Sequence, residues 1–346
     1  MNEIVLARSD AAVSVRALHE SDFEQAVAID AAIVFRSRRA YFERRLEAAS
    51  ANPEQHVQLA AVQDGTLAGY LLARRMQGEF GRAEPGVRLE TIGVRGGQQG
   101  RGVGTRLMAA LERWAAAHGV REIRTSAHWR DDAMLRFLDH AGFELGDRVL
   151  DRPVGPDGVA PLERETGDEG GEGSDQRREA NYGTQVLNDF TTLARDRVEL
   201  CSLAPADLAG IESIDRSITG RDRGEYLARL VDEAVSGCGV RVSLVARRHG
   251  TIVGFLMART DFGDFGRAEP IAVIDTIGVH RWFAGAGIGA ALLSQLFLNL
   301  NALGVQRVET VVALENLDLL AFFHKAGFAA SGRLAFVKPL NGGNRQ

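Results

Sequence analysis

The stretch TIGVRGGQQGRGVG at residues 91–104 is the best guide to the fold of this chain. A related stretch, TIGVHRWFAGAGIG, follows at residues 276–289, so the pattern occurs twice. The same offset of 185 residues relates FGRAEP at 80–85 to FGRAEP at 265–270, and AGF at 141–143 to AGF at 326–328. Solenoid repeats have periods of about 20–50 residues, far shorter than this one. The sequence therefore predicts a duplicated domain.

The 346 residues divide into two such units and a connecting segment. We place the units at residues 1–150 and 197–346, and a linker at residues 151–196 that is rich in glycine, proline and acidic residues. Such a composition buries too little apolar surface to offset its ordering entropy. Residues 151–183 hold nine acidic side chains and four arginines, a balance that equals the net charge of −5 for the whole chain.

The composition also excludes several classes of protein. Outside residues 151–183 the chain is formally neutral, which makes it a poor general binder of nucleic acid. No apolar run approaches the ~18–20 residues that span a bilayer, so we predict no membrane partner. Cys201 and Cys238 show neither CxxC nor metal-ligand spacing, so we expect no metal and a reducing, cytoplasmic location.

Each unit shows the pattern of a mixed α/β structure in the order βααβββαβαβ. Asp64-Gly65 lies between two apolar runs and predicts a hairpin turn, since glycine tolerates positive φ. Helical spacing over 38–49 and 103–118 predicts two helices, the second ending at Gly119. Residues 143–150 are predicted to form the last strand of the first unit.

The glycine-rich turn at 99–104 predicts an anion site, because it joins a strand to the start of a helix. Glycines let backbone amides crowd around an anion, and the helix start adds unpaired N–H groups and a positive dipole end. No Gly-Lys-Ser/Thr follows, which argues against a P-loop. The upstream hairpin argues against a dinucleotide-binding fold. The alternative is that the turn only reverses the chain. The glycine turn follows TIGV in both units, which disfavours this alternative.

Both units resemble the GNAT superfamily of acyl-CoA-dependent N-acyltransferases. The family's loop, (Gln/Arg)-x-x-Gly-x-(Gly/Ala), is matched by Gln99, Gly102 and Gly104, and its later Asn…Gly-Phe segment is matched by Asn316 and residues 327–328. The resemblance covers nearly all of both units. It implies an α/β (α+β) fold of two GNAT-like domains, each a mixed, mostly antiparallel twisted sheet flanked by helices. It also implies acetyl-CoA as donor and a primary amine of a small molecule or protein as acceptor.

The resemblance also assigns residues to CoA. Loop amides would bind the pyrophosphate, and the backbone around Val94 and Val279 would pair with the pantetheine. The residues implied are Ile92, Val94, Gln99, Gly100, Arg101, Gly102, Val103, Gly104 and Thr105 in the first unit, and Val279, Gly285, Gly287, Gly289 and Asn316 in the second. Ala284 and Ala286 replace Gln99 and Arg101 in the second loop, so we expect weaker CoA binding there. A structural role for the second unit stays equally open.

Four carboxylates are candidates for the base that removes a proton from the acceptor ammonium. Glu90 and Asp275 directly precede TIGV, and strand alternation would put Glu90 on one face with Ile92 and Val94. Glu84 and Glu269 recur in the FGRAEP loops and are the second candidates. The alternatives are a solvated strand-end carboxylate for the first pair and a role in loop structure for the second.

The acid that protonates the leaving thiolate is left unassigned. Many family members use a tyrosine at a position that corresponds here to Phe323 and Leu138, neither of which has a hydroxyl. Water, His128 or Tyr41 are the remaining candidates. Arginines at 36, 38, 221 and 223 recur in both units and would bind an acceptor anion or form surface salt bridges.

Two functions follow from the sequence. The first is an acyl-CoA-dependent, in particular acetyl-CoA-dependent, N-acetyltransferase. The second is a non-catalytic or regulatory protein that binds CoA or a metabolite, which the missing tyrosine and the altered second loop favour. The two units would pack as a monomeric pseudo-dimer, or the chain would form a homodimer.

Overall fold

The computed structural model describes residues 13–76, 85–154, 198–236, 242–261 and 271–340. Glu84 and Glu269, most of the predicted linker and Cys238 lie outside these ranges, so their predicted roles stay predictions. No helix in the described ranges is long and apolar enough to cross a bilayer.

The elements of the first half follow the predicted order, with an additional strand at the end. They are β1 (Ser14–Ala17), α1 (Phe23–Val34), α2 (Arg39–Ala51), β2 (His56–Gln63), β3 (Thr66–Met76), β4 (Gly86–Val94), α3 (Val103–Ala117), β5 (Glu122–His128), α4 (Asp132–His140), β6 (Glu144–Leu145) and β7 (Arg148–Pro153). A single 3-10 turn, Glu20–Asp22, precedes α1.

The second half repeats this order. Its elements are β8 (Glu199–Ser202), α5 (Leu208–Thr219), α6 (Gly224–Ser236), β9 (Leu244–Arg248), β10 (Thr251–Asp261), β11 (Ile271–Val279), α7 (Ile288–Ala302), β12 (Arg307–Val312), α8 (Leu317–Lys325), β13 (Ala329–Ala330) and β14 (Arg333–Pro339). Single 3-10 turns lie before α5 and after β11, at Pro205–Asp207 and Arg281–Phe283.

Local sequence signals account for the turns between these elements. Asp64 and Gly65 both have positive φ, 50° and 72°, as a two-residue hairpin between β2 and β3 requires. Gly119 has φ of 68° directly after α3, where a left-handed residue commonly follows a helix. The Asp131 side chain accepts a hydrogen bond from the Met134 N–H and caps α4.

The strands form two seven-stranded sheets. The orders are β1-β2-β3-β4-β5-β14-β6 and β13-β7-β12-β11-β10-β9-β8. In each sheet one neighbouring pair is parallel, β4 with β5 and β11 with β12, and the other pairs are antiparallel. This confirms the predicted fold class of two mixed, mostly antiparallel sheets flanked by helices.

The two halves exchange a strand, which the sequence analysis did not predict. The C-terminal strand β14 lies antiparallel between β5 and β6 of the first half. Strand β7 lies in the same way between β12 and β13 of the second half. The predicted last strand of the first unit therefore divides into β6 and β7, and β7 joins the other sheet and extends three residues past the boundary predicted at residue 150.

The hydrophobic cores reflect the same exchange, because each contains a residue from the strand that the other half supplies. One core lies between the first sheet and α3 and includes Phe336 from β14, while the core beneath α7 includes Leu150 from β7. The opposite face of each sheet packs against a smaller core with α1 and α2 or with α5 and α6. Each sheet therefore buries both faces, and each half completes the core of the other.

The exchange predicts that a C-terminal residue stabilises the first half. Phe336→Ala should lower the free energy of unfolding by ~3–5 kcal/mol, because it leaves a cavity in the α3 core. Hydrogen exchange of the β5 amides should rise, since β5 pairs with β14. The control is Leu145→Ala, whose side chain pairs with Phe336 in register but is exposed, and which should change stability by less than ~0.5 kcal/mol. Unchanged protection of β5 in Phe336→Ala would contradict the prediction.

Candidate functional site

A V-shaped opening lies between β4 and β5 in the first sheet. Among the described residues, β4 and β5 pair only at Val87 with Ile123 and at Arg88 with Arg124, although β4 continues to Val94. The Thr125 hydroxyl donates to the Leu89 carbonyl at 3.1 Å, at the point where the strands separate. Beyond that point one edge of β4 is available to pair with an extended ligand, as the resemblance implied for the backbone around Val94.

The corresponding opening in the second half begins later. Strands β11 and β12 pair over four residues, from Ile271 with Arg307 to Ile274 with Thr310. The Thr310 hydroxyl repeats the Thr125 contact by donating to the Ile274 carbonyl at 3.2 Å. The first half therefore presents the longer unpaired edge.

A β-bulge in β4 decides where Glu90 lies. Leu72 pairs with Thr91 while Ala73 pairs with Leu89, so Glu90 is the extra residue. Bulges interrupt strand alternation and re-aim side chains. Ile92 and Val94 pack toward the α3 core, whereas Glu90 contacts an arginine of α2. The predicted common face of Glu90, Ile92 and Val94 is therefore wrong, because the alternation rule assumes a regular strand.

Glu90 is a buried, ion-paired carboxylate. Its side chain is 1 % exposed, and its Oε1 lies 3.0 Å from Arg45 Nη2 and 3.6 Å from Arg74 Nε. The predicted alternative of a solvated strand-end carboxylate is thus wrong for this residue. Asp275 occupies the matching bulge in β11, since Met257 pairs with Thr276 and Ala258 with Ile274.

Asp275 is also held by arginine. Its Oδ2 lies 3.2 Å from Arg259 Nε, and its backbone carbonyl accepts a hydrogen bond from the Tyr226 hydroxyl at 3.2 Å. Arg259 stands in the second half where Arg74 stands in the first, at the offset of 185 residues. The two candidate bases therefore share a bulge and an arginine partner.

The glycine turn of the first half has open surroundings and amide groups that could donate to an anion. Gly100 and Gly102 have φ of 73° and 78°, and a Cβ added at either would meet no atom of the described residues within 4 Å, apart from its chain neighbours. The first hydrogen bond of α3 runs from the Arg106 N–H to the Gly102 carbonyl, so the amides of 103–105 have no acceptor within the helix. The Gln99 side chain donates to the Val94 carbonyl at 3.3 Å and ties the turn to β4.

Gly104 has a different role, which is close packing. A Cβ at this position would lie 2.9 Å from the Phe137 ring, and one at Gly289 would lie 3.0 Å from the Phe322 ring. Glycine therefore lets α4 and α8 approach the starts of α3 and α7. Gly285 and Gly287 keep the positive φ of their first-half counterparts, at 77° and 81°.

The second turn differs in its use of backbone amides. The Ala286 N–H donates to the Phe283 carbonyl at 3.2 Å, whereas the N–H of its counterpart Arg101 meets no acceptor among the described residues. The preceding segment carries Trp282, which is 83 % exposed. The second turn therefore offers an anion fewer amide donors than the first.

The other predicted site residues have structural roles or surface positions. The Asn316 side chain caps α8 by accepting from the Leu319 N–H at 3.2 Å. Phe323 and Leu138 are fully buried, and Tyr41 is buried with the guanidinium groups of Arg38 and Arg45 within about 5 Å of its ring centre. Val103 is buried at the start of α3 and Thr105 is exposed on its first turn, while Val279, at the end of β11, packs on the second core.

Arg38 and Arg223 are internal ion-pair residues, not acceptor ligands. Arg38 Nε donates to Asp30 Oδ2 at 2.8 Å, and Arg223 Nε donates to Asp215 Oδ2 at 2.9 Å. Both pairs are buried between the first two helices of their half. The prediction that Arg38 and Arg223 bind an acceptor anion or lie in surface salt bridges is therefore wrong, while Arg36 and Arg221 are exposed.

In the first half the pair extends to the sheet. The Tyr70 hydroxyl donates to Asp30 Oδ1 at 2.6 Å, and burial together with the charge of Asp30 raises the pKa of Tyr70 well above its ordinary value. Burial opposes the charged form of Arg38, but the hydrogen bonds and charge of Asp30 outweigh it and raise the pKa of Arg38. The network therefore holds a neutral phenol, a carboxylate and a guanidinium together between α1, α2 and β3.

Sequence reasoning missed Asp30, Arg45 and Arg74. A signal for the first was present, because Asp30 and Arg38 recur as Asp215 and Arg223 with opposite charges eight residues apart in both units. Arg45 and Arg74 gave no comparable signal, since their partner Glu90 is distant in sequence and its orientation depends on the bulge.

The buried pair should contribute strongly to stability. Arg38→Met should lower the free energy of unfolding by ~3–5 kcal/mol, because it leaves the Asp30 carboxylate buried without its guanidinium. Arg39→Met is the matched control, since Arg39 pairs with Glu24 at the surface and should change stability little. Urea denaturation of the three proteins measures the difference. Equal stability of the two variants would show that the buried pair is not a major stabilising contact.

The chain is similar in sequence to a known family and in fold to several solved structures. A family model described as the acetyltransferase (GNAT) family matches residues 14–143 and 210–328. A GCN5-related N-acetyltransferase from Sphaerobacter thermophilus is similar in structure, with 17% identity, a TM-score of 0.58 and 96% of each chain covered. A tandem GNAT protein from the clavulanic acid biosynthesis pathway has 16% identity and a TM-score of 0.61, over 96% of this chain and 100% of that one.

A third structure is the glucosamine N-acetyltransferase region of a fungal multidomain β-N-acetylglucosaminidase. It has 16% identity and a TM-score of 0.61, over 94% of this chain and 38% of that protein. At these identities the likeness to the three structures concerns the fold.

Proposed function

The chain belongs to the GNAT acetyltransferase family, and from that premise we propose that it transfers an acetyl group from acetyl-CoA to a primary amine, with the donor held in the first half. The observation that carries the proposal is one continuous arrangement in that half. A long unpaired edge of β4 leads to a glycine turn with open amides. A buried carboxylate lies on the same strand at the bulge.

The donor would lie along β4 and end at the turn. In the proposal Ile92 and Val94 offer backbone groups to the pantetheine, and the amides of residues 100–105 face the pyrophosphate. Gly100 and Gly102 leave the space that a diphosphate needs, because no atom lies within 4 Å of an added Cβ at either position. Arg101 is exposed on the turn and adds a positive charge beside that space. Bound acetyl-CoA supplies the acyl group as a thioester.

Glu90 is the proposed base for the acceptor ammonium. The amine must lose a proton before its nitrogen can attack the thioester carbonyl. Because the Glu90 side chain is 1 % exposed, we propose that the proton reaches it through a bridging water. Arg45 and Arg74 hold the carboxylate in place. Glu84 stays the second candidate in this half.

The proton for the leaving thiolate has no tyrosine donor at the expected place. Leu138 and Phe323 are buried and carry no hydroxyl. Water, His128 and Tyr41 are the donors that we retain. His128 is exposed at the end of β5. The proposed acceptor is an amine of a small molecule or of a protein in the cytoplasm.

A non-catalytic second half is the alternative that a specific observation favours. The Ala286 amide is occupied by the Phe283 carbonyl, and the unpaired edge of β11 is shorter. In this proposal the second half binds CoA weakly at Gly285, Gly287 and Gly289, or acts as a structural partner. Asp275 and Glu269 would then not take part in turnover.

The asymmetry predicts unequal effects of a bulky charge in the two turns. Gly102→Glu should weaken CoA binding at least tenfold, because it places a carboxylate and a side chain where the pyrophosphate would lie. Gly287→Glu should have a much smaller effect on total CoA affinity. Gly119→Glu is the matched control, since Gly119 also has positive φ and open surroundings but lies at the opposite end of α3. Calorimetry measures all three, and equal losses at 102 and 287 would refute the asymmetry.

The role of Glu90 predicts a loss of rate without a loss of donor binding. Glu90→Gln should lower acceptor-dependent thiol release at neutral pH by about a hundredfold or more, with CoA affinity nearly unchanged. Asp275→Asn is the control in the second half and should retain most of the rate. The assay uses acetyl-CoA with a panel of primary amines. CoA binding without thiol release for any amine would reject the enzyme and leave the binding protein.

A further inference from the structure

A cleft lies at the seam where the two halves meet, and arginines from both halves line it. Arg74 on β3 and Arg88 on β4 come from the first half. Arg229 on α6 and Arg259 on β10 come from the second. Asp275 is the one acidic residue among the described residues that line the cleft. The lining therefore carries a local excess of positive charge, although the chain outside residues 151–183 is formally neutral.

The cleft belongs to both halves and not to one of them. Arg229 Nη1 donates to the Arg75 carbonyl of β3 at 3.4 Å, which ties α6 of the second half to the first sheet. Arg74 and Arg259 are related by the offset of 185 residues, whereas Arg88 corresponds to Val273 and breaks the symmetry. The sequence of either unit alone would not reveal the site.

Two of these guanidinium groups, those of Arg74 and Arg259, are held in place and largely desolvated. The side chains of Arg74 and Arg259 are 12% and 20% exposed, and each contacts the bulge carboxylate of its own half. Arg74 Nε makes no hydrogen bond among the described residues, since Glu90 Oε1 lies 3.6 Å away. Charges in such surroundings are screened less than surface charges, so they attract an anion more strongly.

The size of the cleft limits the ligand. Its accessible space is about 30 Å³, whereas one water needs roughly 10–15 Å³ by the same measure. The space suits a small oxyanion. Planar guanidinium groups match the paired oxygens of carboxylates and phosphates.

We propose that the seam cleft is a binding site for a small oxyanion, a phosphate or a carboxylate, that both halves build together. Its occupant shares Arg74 with Glu90 and Arg259 with Asp275. An anion in the cleft would therefore compete for the partners of both bulge carboxylates. The site thus links the two halves through charge, independently of whether either half performs acyl transfer.

Calorimetric titrations with inorganic phosphate and with acetate, at constant ionic strength, test the proposal and distinguish the two anions. The wild-type protein should show saturable binding of at least one of them. Arg88→Gln and Arg229→Gln, one from each half, should each weaken that binding at least tenfold. Arg113→Gln removes an exposed charge of α3 and should leave the affinity unchanged.

The glycine turn is the competing location for an anion, and Arg101→Gln reports on it. Loss of binding in Arg101→Gln with retention in Arg88→Gln and Arg229→Gln would place the anion at the turn and overturn the proposal. An absence of saturable binding of either anion would also overturn it, as would an effect of one seam variant without the other.

Lysine variants cover the case in which a glutamine variant does not fold. Arg88→Lys and Arg229→Lys keep the charge but lose the two-pronged geometry of the guanidinium. Both should bind the anion several-fold more weakly than the wild-type protein. Wild-type affinity in both lysine variants would show general charge attraction in place of a built site.

Discussion

The exchange of β7 and β14 between the halves is the constraint on which the rest of the structure depends. Because β4 and β5 separate after Arg88 and Arg124, β5 loses its neighbour on one side. Its other edge pairs along its whole length with β14, from Pro339 at Glu122 to Arg333 at His128. The far wall of the V-shaped opening in the first half is therefore positioned by β14, near the C-terminal end of the chain. The exchanged strand therefore supports β5 along the stretch where β4 no longer pairs with it.

The bulges in β4 and β11 add a second constraint, because they fix the positions of two charged side chains. An extra residue in each strand turns Glu90 and Asp275 away from the regular alternation and toward arginines of the same half. Two of those arginines, Arg74 and Arg259, line the cleft at the seam between the halves. Glu90 and Asp275 are thus linked to the cationic cleft through one arginine of each half. Arg74 contacts the bulge carboxylate of the first half, and Arg259 contacts that of the second.

The two halves have diverged within a common backbone. Both keep the positive-φ glycines, the bulge, the buried Asp–Arg pair and the threonine at the point of strand separation. They differ where a ligand would be held, since the second turn uses the Ala286 amide internally and its strands stay paired for longer. The framework and the groups that face a ligand involve different residues, so the second half keeps the framework while its turn presents fewer free amides.

The sequence by itself determined the duplication, the element order, the hairpin at Asp64-Gly65 and the glycine turn. These features depend on local rules, such as the need for positive φ or a helix start, or on direct comparison of the two repeats. The same signals led to Glu90 as a candidate but not to its surroundings. Tertiary structure alone decided the bulge, the Arg45 and Arg74 contacts, the burial of Arg38, the strand exchange and the shared cleft. Each of these depends on contacts between residues far apart in the chain, and neither periodicity nor spacing carries that information.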